Sequence, residues 1–78
     1  MTIAELQQAL EDMSEQELSR FIKRCLCYAM FGQNKIHDVD ANIARDMAYV
    51  ECARRDNERL YDMACEMVNK NPNICDAA

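Results

Sequence analysis

Glycine and proline are nearly missing from this chain, which has one of each, Gly32 and Pro72, in 78 residues. Sheets joined by tight turns draw on Gly, Asn-Gly or Asp-Gly pairs; no such pair occurs, so sheet architectures are not expected. Phosphate-cradling loops need several glycines, which removes P-loop and dinucleotide-binding folds. No apolar run approaches the roughly 20 residues of a membrane span. The start, Met1-Thr2-Ile3-Ala4-Glu5, is amphipathic and lacks the basic and apolar blocks of a signal peptide. The five cysteines are odd in number and irregularly spaced. Together these features imply a reduced, cytoplasmic setting without disulfides and without a membrane.

A chain of this length makes one domain at most, here residues 1–71 followed by a flexible tail, 72–78. Its apolar content leans on ten alanines, five cysteines and six methionines, whereas Leu, Ile, Val and Phe together number fifteen. So light a core often gains stability from association. The net charge of −5 is unevenly laid out. Residues 1–17 carry five acids and no base, and residues 18–37 carry four bases and no acid.

The periodicity is helical throughout, and the fold class expected is all-α: two short helices meeting at a sharp corner, then one long helix. Thr2 with Glu5 forms a capping-box signature, and Ile3, Leu6, Leu10 and Met13 recur on one face of the helix that follows. Ser14 with Glu17 repeats the signature almost at once, so a second helix should run from Glu15 to Phe31, with Gly32 as its C′ residue. Its apolar arc holds Leu18, Phe21, Ile22, Cys25, Leu26, Tyr28 and Ala29, opposite Arg20, Lys23, Arg24 and Cys27. Gln33 to His37 reads as a loop, and Asp38 or Asp40 as the cap of the next helix.

From Val39 to about Asn69 no Gly or Pro interrupts the pattern. Ile43, Met47, Val50 and Ala53 share a side, and Tyr61, Ala64 and Val68 return to it at about 100° per residue. That register, with Glu51/Arg55, Arg54/Glu58 and Glu66/Lys70 at i,i+4, favours a single helix of ~45 Å. Two helices broken near Asp56 are the alternative.

The chemistry-bearing residues form no recognisable active site. Cys25 and Cys27 lie about 200° apart on a helix, unlike the convergent pairs of zinc sites. His37, the single histidine, has no partner placed to orient it. Neither a metal nor a cofactor is expected, nor enzymatic activity. Arg20, Lys23 and Arg24 form a short basic stripe, but Glu15 and Glu17 occupy the helix start that a helix-turn-helix would present to DNA. Nucleic-acid binding by a small transcriptional regulator is therefore the secondary reading.

Two features point to contact with protein. Arg54 and Asn57 interrupt the apolar face of the long helix, where polar residues can set the register of a paired seam. Cys27, Met30, Phe31, Tyr49 and Met63 are left over once the first two helices cover one face of the third, and clusters of that size tend to be contact sites. The expected function is a non-enzymatic interaction module, homodimeric, acting as an inhibitor or adaptor by occupying another protein. Small acidic helical inhibitors of host machinery encoded by phages and mobile elements share this general character.

Overall fold

A computed structural model describes residues 1–30, 32 and 34–71, and the fold is all-α. Its helices are α1 (Ile3–Asp12), α2 (Glu15–Met30), α3 (Ala41–Arg54) and α4 (Glu58–Lys70). A ribbon of two very short strands, β1 (Lys35–Ile36) and β2 (Val39–Asp40), precedes α3. Both capping boxes form. The Thr2 hydroxyl accepts from the Glu5 N–H at 3.1 Å, and the Glu5 carboxylate accepts from the Thr2 N–H at 3.1 Å. Ser14 and Glu17 repeat the exchange at 3.2 and 3.0 Å. With Met13 extended at the end of α1, the two boxes turn the chain within two residues.

The long helix of the sequence reading is broken, and the break is an ordered Schellman turn. Asp56 sits in the left-handed region with φ 56°. Its N–H donates to the Ala53 carbonyl at 3.0 Å, and the Asn57 N–H donates to the Cys52 carbonyl at 2.9 Å. These are the two bonds that close a helix C-terminus around a left-handed C′ residue. Aspartate tolerates this conformation better than most side chains, which is why no glycine announced it. Asp56→Gly is expected to raise stability by about 0.5 kcal/mol by relieving left-handed strain. In an uninterrupted helix the same change would instead cost about 0.3 kcal/mol, the difference between Asp and Gly in helix propensity, so the sign of the shift in Tm checks the break.

The ribbon was also hidden by the lack of glycine. Ile36 pairs with Val39 and Lys35 with Asp40, antiparallel. The intervening His37 and Asp38 have φ 52° and 64°, the positive pair that a two-residue type I′ connection requires. His and Asp are enriched there among non-glycine residues. Ile36 and Val39 are buried, and the His37 ring stacks on Phe21 at 6.3 Å, which holds the turn to α2. Asp40 caps α3, its carboxylate accepting from the N–H groups of Asn42 and Ile43.

The core centres on α2, which packs against both α3 and α4, while α1 lies against α3. Leu18, Phe21, Ile22 and Cys25 of α2 meet Leu6 and Leu10 of α1, Ala44, Ala48 and Cys52 of α3, and Ala64 of α4. On α3 it is therefore the small residues that face inward, where they let neighbouring helices approach closely. Ile43 and Val50, expected in the core, are 45% and 62% exposed.

Candidate functional site

The outward turn of α3 creates a groove. Residues 43, 47 and 50 recur at helical spacing, so the large side chains form a stripe about 120° from the buried alanines. The α1 helix runs beside this stripe and contributes Ile3 and Leu10. The resulting hollow, about 300 Å³, has Ile3, Leu10, Ile43, Met47 and Val50 as its apolar surface, with Gln7, Glu11, Asp46, Glu51 and Arg54 around it.

One end of the groove is fixed by a charged hub. The Glu51 side chain is only 5% exposed. It accepts two bonds from Arg54, at 2.8 and 2.7 Å, and a third from Nε of Arg55. Arg55 also donates through Nη2 to the carbonyls of Leu10, Glu11 and Met13, at 2.9, 3.3 and 2.7 Å. Those carbonyls belong to the end of α1, where the last groups of a helix lack intrahelical partners and a cation complements the dipole. The hydrogen bonds from Arg54, together with those from Arg55, outweigh burial and hold the Glu51 carboxyl down at about 2. The hub thus locks the α1 wall of the groove to the α3 wall.

The residues named from sequence are dispersed. Arg54 lies at the groove. Met30 is exposed beside a second hollow of about 280 Å³, lined also by Leu26, Ala29, Arg45, Cys65, Val68 and Asn69. Tyr49 is 42% exposed and packs edge-on against Tyr61 at 5.1 Å, and Met63 is half exposed; neither lines either hollow. Cys27 is buried, so it does not belong to an exposed surface. It is also disulfide-bonded, which corrects the expectation of no disulfides. An odd number of cysteines does not prevent one bridge. Phe31 likewise lies outside the described residues, as does the 72–78 tail. The seam expected to carry Arg54 and Asn57 is absent because α3 ends at Arg54. Asn57 instead donates to Glu15 at 3.2 Å, tying the start of α4 to the start of α2.

On α2, Arg20 and Arg24 are exposed and Lys23 is half-buried. The Arg24 guanidinium lies 5.9 Å from the centre of the Tyr28 ring. Among the described residues no three His, Cys, Asp or Glu side chains converge as a metal site. Burial pushes the Cys25 thiol up to about 12, which keeps it protonated and un-nucleophilic near neutral pH. No helix among the described residues is long and apolar enough to cross a membrane.

The groove escaped the sequence reading because Ile43, Met47 and Val50 were assigned inward as the larger apolar set. A readable signal was present: Ala41, Ala44, Ala48 and Cys52 form a second, small-residue stripe on the same helix. Compared with known protein families, curated proteins and solved structures, the chain matches none.

Proposed function

We propose that this chain is a non-enzymatic protein-interaction module that acts by occupying another protein through the α1–α3 groove. The observation that carries this reading is the clustering of exposed Ile3, Ile43 and Val50 around one concavity whose walls are locked together by Glu51 and Arg55. Side chains of this size gain roughly 1.5–3 kcal/mol each when fully buried, and a pre-ordered surface loses little entropy on binding. An inhibitor or an adaptor can act through such a surface.

The test compares the wild type with an Ile43→Ser/Val50→Glu double variant as bait in a lysate. Both positions are exposed, so the variant is expected to keep its helical circular dichroism and its melting temperature. A protein retained by the wild type and lost by the folded variant supports the reading. Identical retention by both baits would remove it.

A further inference from the structure

We infer that the occupant of the α1–α3 groove is a basic amphipathic helix of about three turns, supplied by a partner protein; this rests on the reading of the groove as a protein contact. The chemistry follows from the charges. The wall built by α1 belongs to a stretch, residues 1–17, with five acids and no base. Glu11 lines the groove from that wall, and Asp46 lines it from α3, 75% exposed and 3.7 Å from the Arg45 guanidinium. Among the described residues, the one base that lines the groove, Arg54, is already committed to Glu51 at 2.7 Å. An apolar floor between acidic margins complements a helix with a stripe of aliphatic residues flanked by Lys or Arg. It repels nucleic acid and anionic membrane surfaces by the same charges.

The size follows from the walls. Ile43 to Arg54 spans ~16 Å along α3, close to three helical turns. That length matches anchors at i, i+3 or i+4, and i+7 in helix-in-groove recognition. A second copy of this chain is the poorer fit. In a two-fold dimer the same patch faces itself, which would set the acidic margins against one another.

The probe is a fluorescein-labelled synthetic amphipathic helix of roughly 14 residues, with leucines at groove-anchor spacing and lysines on both flanks. Its control carries Glu at every Lys position. The Lys peptide is expected to bind at least tenfold more tightly in fluorescence anisotropy, with a preference that shrinks as salt rises. Val50→Glu separates seating from bulk attraction: it adds an acid, so attraction by net charge alone would strengthen binding, whereas loss of the apolar floor abolishes it. Glu11→Lys/Asp46→Lys is expected to reverse the preference between the peptides.

Equal affinity for the two peptides, no binding by either, or tighter Lys-peptide binding to Val50→Glu overturns the proposal. So does a wild-type dimer in sedimentation that Val50→Glu dissociates, because it gives the groove to a second copy. A lysate protein lost by the Ile43→Ser/Val50→Glu bait, alongside failure of the peptides, would leave the groove a protein contact and remove only this occupant.

Discussion

Glu51→Gln is expected to lower stability by about 3 kcal/mol and to flatten the acid end of the pH–stability profile. The magnitude comes from two directions. A carboxyl held near 2 when folded, against 4.5 for the free side chain, is worth about 1.4 kcal/mol per pH unit of separation. Removing one partner of a buried ion pair costs about 3–5 kcal/mol because the other is stranded. Here the stranded group is Arg55, 18% exposed, whose remaining bonds go to the end of α1. For a chain of this size the loss corresponds to a fall in Tm of more than about 10 °C.

The sign of the pH dependence follows from the direction of the shift. The folded state binds the Glu51 proton more weakly than the unfolded state does, so the stabilisation is complete above about pH 5.5. It is lost as pH falls through 4.5 toward 2. Glu5 and Glu17, lowered by their bonds to Thr2 and Ser14, slope in the same direction. Urea titrations across that range should show the wild type losing stability on acidification and the Gln variant losing much less. Parallel profiles would mean that Glu51 contributes nothing specific.

Ala44→Leu and Ala48→Leu are each expected to destabilise by about 1–3 kcal/mol or more, whereas Val50→Ala should stay within about 0.5 kcal/mol. The alanines are fully buried where α3 meets its neighbours, and added methylenes there force off-rotamer side chains or separate the helices. Val50 is 62% exposed, and truncating an exposed side chain opens no cavity. This ordering is the reverse of what hydrophobic periodicity alone assigns to α3. Thermal melts of the three variants check it, and a costly Val50→Ala beside a tolerated Ala48→Leu would show that α3 packs on its larger stripe.

Local chemistry made part of this structure legible in advance. The two capping boxes, the corner between α1 and α2 and the Asp40 cap each depend on residues a few positions apart; periodicity also gave most of the inward arc of α2, although Cys27, placed opposite it, is buried and Ala29, placed in it, is exposed. The partners of such bonds are fixed by local spacing alone, so the sequence displays them. Two of the three expected i,i+4 pairs were legible in the same way, Glu51–Arg55 and Glu66–Lys70, the latter at 2.6 Å, whereas Arg54, expected to meet Glu58, turns back to Glu51. What those pairs mean was not legible. Glu51–Arg55 was read as support for a helix continuing past Asp56. In the fold Arg55 caps that helix and reaches the end of α1, more than forty residues back in sequence.

Tertiary structure decided three things. Asp56, His37 and Asp38 adopt positive φ without glycine, because the turns they close anchor buried neighbours, Cys52 in one case and Ile36 and Val39 in the other. The orientation of α3 was settled by competition between two stripes on one helix. Single-helix periodicity favours the larger, more hydrophobic stripe, but α3 must fit among α1, α2 and α4, and only alanines and a cysteine permit that approach. The groove follows from that choice: once the small residues are inside, Ile43 and Val50 stand exposed beside an acidic helix, with Met47 half-buried against the core between them.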